Sequence, residues 1–111
     1  MQDPAAYYAA VWVVEEDGEV VGSVALRCVD GDELELKRMY LRRHVRGRGL
    51  GRRLLETALE WARANGARRI VLDTAPEMRA AQRLYEAYGF RRVPGDAPRQ
   101  GRSRLLYELR L

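Results

Sequence analysis

The stretch "ELELKRMYLRRHVRGRGLGRRLLETALEWARA", Glu33 to Ala64, changes its hydrophobic period partway along. From Glu33 to Leu41 apolar and polar residues alternate, as in a strand with one buried face. Past Leu50 the spacing becomes helical. Leu54, Leu55, Ala58, Leu59 and Ala62 share one side, while Arg52, Arg53, Glu56, Glu60 and Arg63 take the other. Glycines at 47, 49 and 51 stand between the two patterns. Asn65-Gly66 suits the left-handed end of a helix, and "RRIVLD" after it reads as a short buried strand. A strand at 33–41, a helix at 50–64 and a strand at 70–73 form a β-α-β unit, which demands a right-handed crossover and parallel neighbours.

Upstream, "AVWVVEEDGEVVGSVALRCVD" holds two β-rich runs around Asp17-Gly18, a dipeptide made for a tight hairpin. A second turn at Asp30-Gly31-Asp32 leads into the strand at 33. Downstream, Thr74 and Glu77 make a T-x-x-E capping box with Pro76 inside the first turn, which predicts a second helix from there to Tyr88, capped by Gly89. "FRRV" and "SRLLYELRL" supply two last strands around the polar loop "PGDAPRQGR". The order β-β-β-α-β-α-β-β gives an α/β (α+β) fold, with a mixed, mostly antiparallel sheet of about six strands and two main helices.

A chain of 111 residues forms one core, so 1–111 reads as a single domain. No apolar run approaches a membrane span. The start "MQDPAAYYAA" lacks the build of a signal peptide, and the expected setting is cytoplasmic. Cys28 stands alone and reads as a small buried hydrophobe. One Cys and one His leave no expectation of a metal site. The net charge of +4 and pI near 9.6 favour anionic partners without naming one.

A loop running into a helix presents backbone N–H groups that have no helical partner, at the positive end of the helix dipole. Glycines there remove side chains that would hold an anion away, and they allow positive φ. The arrangement predicts a phosphate cradle, with flanking arginines adding charge. It is not the P-loop pattern, because no Lys follows. Nor is it the dinucleotide fingerprint, which would need glycine at Arg52.

Arg46-Gly47-Arg48-Gly49-Leu50-Gly51 does match [RQ]-x-x-G-x-[GA], and "AAQRLYEAYGF", Ala80 to Phe90, matches A-x-x-L-Y-x-x-x-G-F. With both motifs at this separation the chain resembles the GNAT family of acyl-CoA-dependent N-acyltransferases, from about Val11 to Leu111. The resemblance implies acetyl-CoA as co-substrate and direct attack of a primary amine on its thioester, the acceptor being a small molecule or a peptide.

It also implies roles by position. The amides of Arg46, Gly47, Arg48, Gly49, Leu50, Gly51 and Arg52 would hold the pyrophosphate. Met39, Tyr40 and Leu41 would offer backbone to the pantetheine arm where this strand splays from its parallel neighbour. A backbone N–H near Leu41 would polarise the thioester carbonyl. Tyr85 falls on the family's general acid and would protonate the departing thiolate. Glu35 falls where several members carry a base or orient a water, and Glu33 shares its face. Met78 stands where the family often has an Asn touching the cofactor arm.

By the same comparison the chain begins near the family's second strand, without the usual first strand and helices. Tyr7, Tyr8 and Trp12 could line what remains of the acceptor pocket. The basic segment 91–104, with Arg91, Arg92, Arg99, Arg102 and Arg104, would suit an acidic acceptor. Family members are often dimers, and the apolar "LLYELRL" end permits a homodimer. A competing reading is a non-catalytic acyl-CoA-binding or sensor module. Nucleic acid is not an expected partner, because 42–53 has no interleaved aromatics.

Overall fold

The computed structural model describes residues 7–96 and 104–111. Six strands form one sheet: β1 (Ala10–Glu16), β2 (Glu19–Asp30), β3 (Glu33–Leu41), β4 (Arg69–Thr74), β5 (Arg91–Asp96) and β6 (Leu105–Arg110). Two helices, α1 (Leu50–Ala64) and α2 (Arg79–Ala87), join β3 to β4 and β4 to β5. The spatial order is β1-β2-β3-β4-β6-β5, and only the β3–β4 pair is parallel. This is the predicted order and class.

Local chemistry accounts for the turns. Asp17 and Gly18 both take positive φ, 52° and 80°, which matches the twist a tight hairpin needs. Gly66 and Gly89 take positive φ just past the ends of α1 and α2. β5 is an edge strand, where Pro94 costs no ladder hydrogen bond. β6, by contrast, is paired on both sides, so the apolar "LLYELR" run is used within the sheet.

Both helices cover the same face. Leu54, Leu55, Ala58, Leu59 and Ala62 of α1 share one core with Val24, Leu26, Leu34, Leu36, Ile70, Leu72, Tyr107 and Leu109 of the sheet, and with Tyr85 and Phe90. Fully burying each leucine contributes roughly 1.5–3 kcal/mol. The opposite face carries alternate residues of the same strands and is charged. Arg69 of β4 bridges Glu33 of β3 and Glu108 of β6 there, Arg27 faces Glu35, and Arg104 meets Asp73.

Two expectations are corrected. Cys28 is exposed, because β2 is 12 residues long and its last three run beyond the cover of the helices. The second helix starts at Arg79 rather than just after Thr74. Thr74 stays in β4 opposite Leu105 with its side chain buried, so it cannot cap a helix. Pro76 keeps Ala75 out of the helical region, and the chain turns through Ala75–Met78 first.

Candidate active site

β3 has two halves. Its first half is stitched on both edges: Glu33, Leu34 and Glu35 pair with Arg69, Ile70 and Val71 of β4 on one side and with β2 on the other. The parallel pairing ends at Glu35. From Leu36 onward the β4 side of the strand is open.

The divergence coincides with a bulge. Arg38 takes φ of +57°, and the β2 register jumps between Ser23 and Ala25. A non-glycine residue in the left-handed region is uncommon and requires support from its surroundings. The Ser23 hydroxyl donates to the Arg38 carbonyl at 2.7 Å, and Arg38 Nε donates to the Tyr8 hydroxyl at 2.9 Å. One extra residue flips the strand's parity. Leu34 and Leu36 face the core before the bulge, and Met39 and Leu41 pack on it after. Arg42 N–H donates to Val21 on the β2 side at 2.8 Å. Strand alternation therefore turns the N–H groups of Leu41 and Met39 toward the open edge. The bulge was not legible in advance, since nothing in Lys37-Arg38-Met39 marks a residue for positive φ.

Beyond β3 a 3-10 turn at Arg43–Val45 carries the chain to the glycines. Gly47 and Gly49 take φ of 81° and 77°, and Gly49 is the N-cap of α1. No side chain caps this helix and no acidic residue lies in its first turn. Arg46 N–H is spent on Arg43 within the turn, and Arg53 N–H on Gly49. The six amides between them, 47 to 52, have no backbone acceptor among the described residues. Arg46 N–H, which the sequence reading includes in the cradle, is thus already used inside the turn.

Gly51 serves differently from its neighbours. Its φ is not positive, and a Cβ there would lie 3.4 Å from Leu41, 3.7 Å from Leu84 and 3.8 Å from Met39. It allows α1 to start close against the open half of β3 and against α2. Leu50 lines a shallow cavity of about 240 Å³ with Trp12 and Val14 on the other side of the helix. The arginines are partly committed: Arg46 Nε donates to the Leu41 carbonyl at 3.0 Å, and Arg48 pairs with Glu16 at 3.0 Å. Arg52 is exposed.

Tyr85 sits in α2 with its ring buried to 5% exposure, tilted against Phe90 and Tyr107 at 5.7 and 6.4 Å. Burial pushes its phenol up to about 12, so it stays protonated at any ordinary pH. Its hydroxyl bonds to no described residue. Its neighbours differ: Tyr88 donates to Glu56 at 2.7 Å and Tyr107 to Glu86 at 2.9 Å.

Glu35 and Glu33 lie on the charged face where β3 and β4 last pair. Glu33 is committed to Arg69. Among the described residues Glu35 has only Arg27 at 3.7 Å, and Arg27 is itself held by the Tyr7 hydroxyl at 2.8 Å and the Tyr7 ring at 5.1 Å. Met78 is half exposed at the N-cap of α2, where its carbonyl accepts from Gln82 N–H. The Gln82 carboxamide holds the Ala75 and Pro76 carbonyls of the preceding turn. Of the basic segment proposed for an acidic acceptor, Arg91 and Arg92 lie in β5, Arg104 is paired with Asp73, and Arg99 and Arg102 fall outside the described residues.

Comparison with known proteins places this geometry. The model of the acetyltransferase (GNAT) family matches residues 2–90. An N-acetylaspartate synthetase of Danio rerio is 39% identical over 99 residues, 84% of this chain and 35% of that protein. Among solved structures, an acetyltransferase of Streptococcus agalactiae superposes with a TM-score of 0.83 at 32% identity, covering 96% of this chain and 71% of the other. A GNAT family acetyltransferase of Elizabethkingia anophelis with acetyl-CoA bound shares the fold at a TM-score of 0.75 and 20% identity, covering 91% and 75%. The chain spans between about a third and a half of the length of the curated relatives it matches.

Proposed function

The chain belongs to the acetyltransferase (GNAT) family, and from that premise we propose that it moves an acetyl group from acetyl-CoA to a primary amine. The observation that carries the proposal is the run of six amides, 47 to 52, that have no acceptor among the described residues, at a helix start with no side-chain cap and beside a strand edge that β4 has left. Anions favour such a helix start, and an extended, amide-bearing ligand favours such an edge.

The amides of Gly47 to Arg52 hold the pyrophosphate, and Arg46, Arg48 and Arg52 surround it with charge. Met39, Tyr40 and Leu41 border the pantetheine arm, with Met78 and Tyr85 on its other side. The Leu41 N–H, turned to the open edge, donates to the thioester carbonyl oxygen as negative charge grows there. Glu35 takes a proton from the amine, directly or through a water, as nitrogen bonds to the carbonyl carbon. The C–S bond then breaks, and the neutral Tyr85 hydroxyl acts as general acid toward the leaving sulfur. No covalent enzyme intermediate and no metal enters this scheme.

Tyr85, a protonated phenol bonded to no described residue, supports turnover over a module that only binds acyl-CoA. A cytoplasmic setting and association into a homodimer belong to the same proposal, the second checked by sedimentation. No helix among the described residues is long and apolar enough to cross a membrane.

Calorimetric titration with acetyl-CoA, followed by a thiol-release assay with an amine panel, tests the reading. Stoichiometric binding and amine-dependent thiol release are expected. Absence of acetyl-CoA binding would overturn it.

A further inference from the structure

The charged face of the sheet is not charged evenly. Arg27, Arg69 and Arg104 each meet a carboxylate there. Two adjacent cations at the opening of the sheet meet none among the described residues. Lys37 is half-buried on the same face as Glu35, beside Ala25, and makes no hydrogen bond or ion pair to any described residue. Among the described residues Arg38 pairs only with the neutral Tyr8 hydroxyl, and Tyr8 packs edge-on against Tyr7 at 4.8 Å, which in turn holds Arg27. Arg38 is thereby drawn toward the same patch as Glu35. Lys37 therefore offers a cation that no described carboxylate neutralises, and a strained arginine held in place by a serine and a tyrosine is pre-set for a ligand.

We propose that Lys37 and Arg38 seat the carboxylate of the acceptor, which is an amino acid or another amine bearing a carboxylate, and so leave its amine beside Glu35. The spacing fits. Residues two apart on one face of a strand lie about 7 Å apart. An α-amino acid, with a hydrogen bond of about 2.8 Å at its carboxylate end and another at its amine, spans a comparable distance. The site also lies where β4 has left β3, so the amine faces the gap assigned to the thioester. Lys37 and Arg38 are specificity residues in this reading, and Tyr8 and Ser23 position Arg38.

The inference rests on the acetyltransferase reading, and the experiment separates the two. Thiol release from acetyl-CoA is measured with the full chain against L-amino acids and against their carboxamides. The amides have the more readily deprotonated amine, so a preference for the free acids must come from recognition. At least a tenfold higher kcat/KM for a free acid over its amide is expected, carried mostly by KM. Lys37→Met and Arg38→Gln should each cut that ratio severalfold, the pair together should bring it near one, and Lys37→Arg should restore it. Thermal melts and acetyl-CoA titration of each variant confirm an intact fold and donor site. Amides that serve as well as the acids in the unmodified protein would overturn the proposal, as would variants that slow both substrates equally. If acetyl-CoA fails to bind at all, the acetyltransferase reading falls. If it binds and amides are acetylated without preference for a carboxylate, only the present inference falls.

Discussion

The two halves of β3 are made from the same alternating sequence, yet they spend their polar groups differently. In the first half, Glu33 to Glu35, both backbone edges are paired, and Glu33 is bound to Arg69. In the second half, Met39 to Leu41, one edge is open, and among the described residues the amides beyond its end have no acceptor and Lys37 and Arg38 just before it meet no carboxylate. The first half holds the sheet together. The second keeps groups available, and an available buried or half-buried polar group is what a ligand can repay. The same contrast runs through the tyrosines, since Tyr88 and Tyr107 donate hydrogen bonds to carboxylates while the Tyr85 hydroxyl bonds to no described residue.

The hardest test of this division is at Gly49. Its φ of 77° strains any side chain, but a Cβ there meets nothing within 4 Å. Gly49→Ala therefore carries only backbone strain of about 1–2 kcal/mol and should still bind acetyl-CoA. Gly49→Glu adds a carboxylate where the pyrophosphate is assigned. Like charges about 4 Å apart near a protein surface repel by roughly 4 kcal/mol, so its acetyl-CoA affinity should fall by about a thousandfold. Equal behaviour of the two variants in calorimetry would mean that the loop is a turn and not a cradle.

Tyr85→Phe asks whether the hydroxyl matters. A drop in kcat of about a hundredfold is expected, with acetyl-CoA affinity nearly unchanged. The same variant has a stability signature. Burial holds Tyr85 at about 12 against about 10 in the unfolded chain, so the folded state keeps a proton that the unfolded state releases. Its contribution is complete below about pH 10 and is lost as the pH rises toward 12. Near pH 11 the loss is on the order of 1.4 kcal/mol. Denaturant titrations at about pH 9 and about pH 11 should show the unmodified protein losing more stability than Tyr85→Phe. Contributions of Tyr88 and Tyr107 are common to both and cancel. Parallel losses in the two proteins would contradict the buried placement.

Much of this architecture was legible because it depends on neighbours in sequence. The change of period across 33–64 reports which faces are buried, and alternating glycines before a helix report unspent amides. Gly47 and Gly49 fit that reading through their backbone angles, whereas Gly51 has no positive φ and a Cβ there would meet Leu41, Met39 and Leu84 only in ordinary contact. Long-range causes account for the misreadings. Thr74-x-x-Glu77 has the letters of a cap, but pairing with Leu105 keeps Thr74 in the sheet. Cys28 sits in an apolar run, but the helices do not extend over it. Arg38 carries no local signal at all. Its conformation is imposed by β2 and Tyr8, residues 15 and 30 positions away.

The smallest effect we predict lies at the junction of the two halves. The Ser23 hydroxyl is the hydrogen bond that ties the bulge carbonyl of Arg38 to β2, at 2.7 Å. Ser23→Ala removes that bond from a partly exposed site and should cost about 0.5–1.5 kcal/mol in stability, read from denaturant midpoints. If the open half of β3 owes its geometry to the bulge, the change should reach further than stability. Relaxing Arg38 out of positive φ would turn the Met39 and Leu41 amides away from the gap, because parity beyond the bulge depends on the extra residue. The variant should then lose severalfold in kcat while Glu33 and Arg69, on the paired side, keep their contact. A stability loss with unchanged kcat would show instead that β2 pairing and the core contacts of Met39 and Leu41 hold the open edge without the serine. In that case the boundary between the two halves is set by packing rather than by hydrogen bonding.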